Sequence, residues 1–294
     1  MLDDTALSAL HARLAAALAP PRQALVPLLT GGSVVGALTP ARVDRVARWE
    51  RIFRVNNGAV EFVPDLADEP ARTAAMAGVA RTLADEGALS PWRDERYAVA
   101  AGDGAPVLFR LERAAARYFG VHTVAVHVNG LVRAAGGRRM WLARRSPTKA
   151  IDPSQLDNLV GGGVAADTDV PRTLVKEAWE EAGIDAALAR TAQPCGTVGI
   201  RRQQPDGLQW ETIHVHDLWL PASFVPSNQD GEAVEHRCVV LPEAAVLAAH
   251  RDGPDLVTAD ASLVILDCLL RHGLVPETSR WHAPLRALLR PAPG

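Results

Sequence analysis

Lysine is nearly absent from this chain: Lys149 and Lys176 are its only two in 294 residues, and every other fixed cation is arginine. The net charge of −3 leaves no basic surplus, so the footprint that general nucleic-acid binding needs is missing. Three cysteines, Cys195, Cys238 and Cys268, stand far apart and form no C-x-x-C pair. An odd, scattered set excludes a disulfide framework and reads as free thiols of a reducing cytosol. No apolar run reaches the roughly 18 residues of a membrane-spanning helix. Residues 1–20 carry Asp3 and Asp4 where a secretory signal would be basic, and Arg13 interrupts their apolar run. They read as an amphipathic helix and not as a targeting segment, which makes the expected compartment cytoplasmic. There is no internal repeat and no low-complexity tract. What is there is ordinary globular composition, 48% hydrophobic and 22% charged. At this length two domains, or one with a large extension, are expected.

The stretch Leu174-Val175-Lys176-Glu177-Ala178-Trp179-Glu180-Glu181-Ala182-Gly183-Ile184 is the most informative. At 3.6 residues per turn, Glu177, Glu180 and Glu181 crowd one helix face, while Leu174, Ala178 and Ala182 repeat every four residues on the inner side. Like charges so placed repel by roughly a few tenths of a kcal/mol per exposed pair. In isolation the stretch is a solvated acidic face. A hard divalent cation reverses the balance, because Mg²⁺ takes carboxylate oxygens and shares its shell with substrate phosphates. Gly183 stands where a left-handed C-cap ends the helix. Ahead of it, Gly161-Gly162-Gly163 reads as a loop that lets a ligand approach the backbone.

Along the rest of the chain, Thr39-Pro40 predicts a helix start running to Trp49, and residues 71–86 carry helical spacing. Short strands are expected at 97–100 and 107–111, then a short helix over 112–119 ended by Gly120. From Val121 the period becomes two, with Val124, Val126 and Val128 alternating with Thr123, Ala125 and His127. His122 and His127 read as strand histidines. Asn129-Gly130 reads as a turn before a strand over 140–145. Further strands are expected at 196–201, 210–220 and 235–240, and helices at 243–249 and 260–272. Asp260 is the expected N-cap of the last helix, with Gly273 at its end. Residues 276–294 are expected to pack loosely.

Counted from Gly162, the acidic helix resembles the Nudix box, Gly-x5-Glu-x7-Arg-Glu-apolar-x-Glu-Glu-x-Gly-apolar. Gly162, Glu177, Ala178, Glu180, Glu181, Gly183 and Ile184 fall on the pattern. Two positions depart: Thr168 replaces Glu and Lys176 replaces Arg. In the family that pair braces the loop against the helix, so the loop here must be held in another way. Lys176 keeps the charge but loses the planar fork. The stretches 141–149, 156–163, Pro91-Trp92-Arg93-Asp94-Glu95 and Asn228-Gln229-Asp230-Gly231-Glu232 resemble one Nudix branch. That branch has an extra N-terminal domain and includes the Nudix part of thiamin pyrophosphokinases.

The resemblance implies an α+β protein: a Nudix α/β/α sandwich on a mixed sheet over 119–275, a smaller α+β domain over 1–118, and a tail over 276–294. It implies Mg²⁺- or Mn²⁺-dependent cleavage of thiamin diphosphate and its oxidised or damaged forms to monophosphates. Glu177, Glu180 and Glu181 would be catalytic and hold metal, with Glu232 or Glu235 as a further acidic ligand. Gly161, Gly162, Gly163, Arg144, Arg145, Lys149 and Lys176 would meet the phosphates, with Arg201 and Arg202 ranked lower. Trp92, Asp94 or Glu95 would meet a cationic thiazolium. The partner is then a small-molecule diphosphate, with neither nucleic acid nor membrane, and a homodimer is left open. Two other classes fit the box: hydrolysis of a nucleotide diphosphate such as ADP-ribose or a dinucleotide, and a non-catalytic ligand-binding module.

Overall fold

In a computed structural model the protein is described over residues 2–21, 23–89, 91–102 and 104–290. Helix α1 (Asp4–Ala17) begins where the Asp3 carboxylate accepts the N–H of Ala6 at 2.8 Å, satisfying one of the donors that a helix start leaves open. Strands β1 (Val26–Thr30) and β2 (Ser33–Leu38), helix α2 (Pro40–Val46), and strands β3 (Phe53–Asn56) and β4 (Ala59–Phe62) follow. The four strands form one sheet in the order β2-β1-β4-β3. Helix α2 is shorter than expected. The Trp49 carbonyl accepts from both Ile52 and Phe53, which turns the chain into β3, and the Thr39 side chain makes no capping bond. Helix α3 (Glu69–Asp85) and the hairpin of β5 (Arg96–Ala100) and β6 (Val107–Glu112) complete this unit. Its core contains Phe53, Met76, Leu83, Phe109 and Phe119. A single 3-10 turn, Arg113–Ala115, leads into α4 (Ala116–Phe119), which ends at Gly120 with φ of 57°.

The second unit is built on β7 (His122–Ala134), which pairs in parallel with β12 (Gly207–Leu220) along one edge. Along its other edge β7 changes partner. Residues 125–128 pair with β10 (Val160–Gly163), and residues 130–134 pair with β8 (Gly137–Arg145). Strand β9 (Leu156–Asn158) pairs with β8, as does β13 (Ala233–Val240), and β11 (Gln193–Gln204) lies outside β12. Asn129-Gly130 is therefore strand and not turn. The Asn129 amide is used by Asp217 of β12 at 3.0 Å, and a Cβ at Gly130 would fall 2.2 Å from Leu159. The reversal comes later, between Ala134 and Gly137.

Alternation along β7 divides the sheet faces. Val126, Val128 and Val132 pack against α5 (Val170–Ala182) and the short α6 (Ala186–Ala189). Ala125 and Leu131 face the opposite layer of α7 (Leu241–Ala248) and α8 (Ala259–Arg271). The result is an α/β/α sandwich on a mixed sheet, preceded by a smaller α+β unit, as the resemblance implied.

Three expectations need correction. The N-cap of α8 is Thr258, whose hydroxyl accepts from Ala261 at 3.1 Å, so Asp260 sits within the first turn with its carboxylate free for other partners. Helix α1, grouped by sequence with residues 1–118, instead sends Leu7, Leu10 and Leu14 into the core shared with α7 and α8. The expected loose tail contains α9 (His282–Ala287). Leu285 and Leu289 join that same core, and Trp281 Nε1 bonds Asp4 at 2.9 Å. Residues 291–294 of that tail lie outside the described residues. Among the described residues no helix is long and apolar enough to cross a membrane.

Candidate active site

The glycine run is a strand and not a loop. Gly161, Gly162 and Gly163 pair antiparallel with His127, Val126 and Ala125 of β7. Helix α5 lies against this strand, and the contact explains the glycines. A Cβ at Gly162 would fall 2.5 Å from the Glu177 carboxyl carbon, and one at Gly163 would fall 2.2 Å from the Tyr97 hydroxyl. Gly161 donates its N–H to Glu181 at 2.8 Å. Asp169 caps the helix start by accepting from Arg172 at 2.8 Å. Gly183 ends it in the left-handed conformation, with φ of 65°. Beyond it, residues 227–229 return to the open carbonyls: Ser227 N–H bonds Ala182 at 3.0 Å and Gln229 N–H bonds Glu180 at 2.7 Å. The Asn228-Gln229-Asp230-Gly231-Glu232 stretch thus serves as a C-terminal clamp on α5.

The three glutamates have different surroundings. Burial raises the Glu177 carboxyl above its ordinary range, against the pull of Lys176. Glu181 sits deeper and is pushed well up, first by burial and then by the charges of Glu177 and Asp157, with the Gly161 N–H opposing. Glu180 turns outward, where Lys176 donates to it at 2.6 Å and to Glu177 at 3.1 Å. Glu177, Glu181 and the nearby Asp157 gather hard oxygen donors in one place, engaged by Lys176, the Gly161 N–H and Arg145 respectively. That donor set fits Mg²⁺ or Mn²⁺. The one described trio of acidic, histidine or cysteine ligand atoms lying within 4.8 Å of one another is elsewhere, at Asp217, Cys268 and His272. There Arg271 already occupies both Asp217 oxygens, at 2.5 and 2.9 Å, so that trio is an ion-pair network.

A cleft of about 170 Å³ lies over the glycine strand. Arg145, Lys149 and Gly161 to Gly163 line it. Arg145 is anchored by Asp157 at 2.9 Å, and Lys149 pairs with Glu232. A small adjoining cavity holds Glu232, Asp157 and Glu181 together. Arg144 and Glu235 line neither space. They face each other across β8 and β13 and pair at 2.6 Å, and Arg144 also binds Asp255 at 2.6 Å. Trp92 and Asp94 are likewise outside the cleft. The indole donates to Asp94 at 2.6 Å, and Arg81 stacks 3.7 Å above the ring. Arg202 is held by Gln209 at 2.8 Å and by Asp260 at 3.5 Å.

Several lining residues escaped the sequence reading. Arg93, Tyr97, Arg113 and Arg117 come from the N-terminal unit, and Trp210, Glu211 and Asp260 from β12 and α8. Burial and the neighbouring Asp260 push Glu211 up. Burial would raise Asp260 too, but Arg202 and Gln209 hold it below the usual carboxylate range. Thr123 and Gln209 donate to Glu211 at 3.0 and 3.3 Å. The cleft therefore has a cationic side, an acidic end and a carboxylate helix beneath.

That division of charge can hold an anionic group on one side and a polar or cationic group at the other end. Comparison with known proteins narrows the class. The NUDIX domain model matches residues 122–260, and a domain of unknown function, DUF4743, matches residues 10–123. Nudix hydrolase 24, chloroplastic, from Arabidopsis thaliana is 38% identical over 267 residues, covering 90% of this chain and 72% of that protein. Nudix hydrolase 20, chloroplastic, from the same plant is 39% identical over 209 residues, 71% of this chain and 55% of that protein, so the chain matches about half the length of that relative. A solved protein of Deinococcus radiodurans aligns with 58% of this chain and 97% of its own at 23% identity, with a TM-score of 0.44. The chain belongs to the Nudix hydrolase family and carries an additional N-terminal domain.

Proposed function

We propose that this protein hydrolyses the diphosphate link of thiamin diphosphate, and of its oxidised or damaged derivatives, to the monophosphate with Mg²⁺ or Mn²⁺, in the cytoplasm. The observation that carries the chemistry is the placement of Glu177 and Glu181 directly beneath the glycine strand that floors an arginine-lined cleft. Glu177 and Glu181 would hold the ion, and Glu232, which lines a small cavity together with Glu181, would be the further acid. When bound, the ion supplies neutralisation of the diphosphate and a more acidic water.

The chain's own contribution is position and charge, which dominate phosphoryl transfer. Arg145, Lys149, Arg113 and Arg117 would orient the phosphate oxygens over the glycine strand. Trp210, Glu211 and Asp260 supply an aromatic and acidic end suited to a cationic or amino-bearing ring, the place that Trp92 and Asp94 do not fill. Glu180, bound to Lys176 on the outer side, acts through that pair on the helix unless the lysine moves away.

The test is a substrate panel with Mg²⁺. Phosphate release from oxidised thiamin diphosphates should exceed turnover of ADP-ribose or a dinucleotide. Faster turnover of ADP-ribose would replace the substrate, and binding without turnover of any panel member would make the protein a ligand-binding module.

A further inference from the structure

The segment between β10 and α5, residues 164–169, lacks the Glu–Arg pair that braces it in the box pattern, and no hydrogen bond joins Thr168 to Lys176. The contacts that hold this segment come from the N-terminal unit. The Arg96 carbonyl on β5 accepts the N–H of Ala166 at 2.7 Å. Arg110 on β6 pairs with Asp167 and lies 3.4 Å from Glu69 of α3. Tyr97 on β5, largely buried, packs so closely on Gly163 that no other residue fits there without displacement. Among the described residues, the sandwich itself gives the segment the bond from Val164 N–H to the Val124 carbonyl at 2.8 Å, and Thr168 N–H turns back on the Ala165 carbonyl at 3.2 Å before Asp169 starts the helix.

We propose that the β5–β6 hairpin replaces the missing internal brace, so that Arg96, Tyr97 and Arg110 are positioning residues for the Glu177–Glu181 face. The N-terminal domain is then a structural part of the ion site and not an appended module. The inference rests on the reading of α5 as the ion-binding helix only for its functional consequence; the brace itself is a statement about the loop.

Charge placement makes the brace testable in the full chain. Arg110→Glu sets a carboxylate against both Asp167 and Glu69, whereas Arg110→Glu with Asp167→Arg restores an opposite pair. Amide hydrogen exchange over residues 164–169, without metal, should quicken roughly threefold in the single variant, the scale of an exposed ion pair, and return towards wild type in the double. Mn²⁺ affinity, followed by the loss of its free electron-paramagnetic-resonance signal, should fall and recover in parallel. Tyr97→Leu in a Gly163→Ala background gives a second arm: it should recover Mn²⁺ affinity lost through Gly163→Ala, because the phenol is what the new methyl meets. Unchanged exchange in Arg110→Glu, or equal exchange in the single and double variants, would overturn the brace. A wild-type protein that binds no Mn²⁺ would instead defeat the ion-site reading, while the exchange result still decides the brace.

Discussion

His127 Nδ1 lies 2.8 Å from Asn158 Oδ1, and this short contact is the last link of a buried chain across the sheet. Asp217, bound by Arg271 on both oxygens, can only accept, so Asn129 turns its NH₂ towards it at 3.0 Å. The Asn129 oxygen then accepts from Asn158 at 3.4 Å, which leaves the Asn158 oxygen to accept from His127. The chain has one consistent direction. It places a proton on His127 Nδ1, with Nε2 beside Gly161 in the cleft. Long-range proton–nitrogen correlation spectra should show His127 in the Nδ1–H form; an Nε2–H form would break the chain.

The Asp217 site should contribute strongly to stability. Burial alone would raise its pKa, but hydrogen bonds from His272, Arg271 and Asn129 hold it far below the usual carboxylate range. A depressed folded pKa gives stabilisation that is present above the unfolded value and lost as pH falls through the folded one. Asp217→Asn should cost about 3 kcal/mol at neutral pH, because it leaves a partly buried Arg271 without its main partner. The gap from wild type should shrink as the pH is lowered below about 4. A variant as stable as wild type at pH 7 by chemical denaturation would contradict this.

The thiols should be sluggish. Burial, and then the nearby Asp217 charge, push Cys195 up to about 11, and burial also raises Cys238 and Cys268. Alkylation follows the thiolate fraction. Iodoacetamide at pH 7.5, taken as roughly neutral, should label the native protein slowly at all three positions and quickly once it is denatured. Rapid native labelling of any one would contradict the assigned surroundings.

How much of this could be read from the chain depends on how far apart the partners lie. The acidic helix was legible because its three glutamates, inner alanines and closing glycine fall within one local stretch, where helical geometry alone sets their relation. The acidic end of the cleft was not. Glu211 and Asp260 meet through the placement of β12 and α8, and Asp260 resembled a cap until Thr258 took that place. Arg144 and Glu235 looked like free phosphate and ion ligands. Only the register of β8 against β13 shows that they neutralise each other. Three glycines in a row suit a loop open to a ligand, but here they form a strand on which Glu177 and Tyr97 press too closely for any side chain.

The C-terminal segment offers a packing test. Leu285 is fully buried among residues of α1, α7 and α8. Leu285→Ala should destabilise the protein by about 2–4 kcal/mol in denaturant titrations. A change within about 0.5 kcal/mol, the range of ordinary surface substitutions, would show that the segment is loosely attached.

The central claim is tested most directly by titrating Mn²⁺ into wild type, Glu177→Gln and Glu181→Gln and measuring the bound ion by electron paramagnetic resonance. Wild type should bind, and each variant should lose on the order of tenfold or more in affinity while keeping its fold by circular dichroism. Equal affinity in all three proteins would place the ion elsewhere and contradict the account.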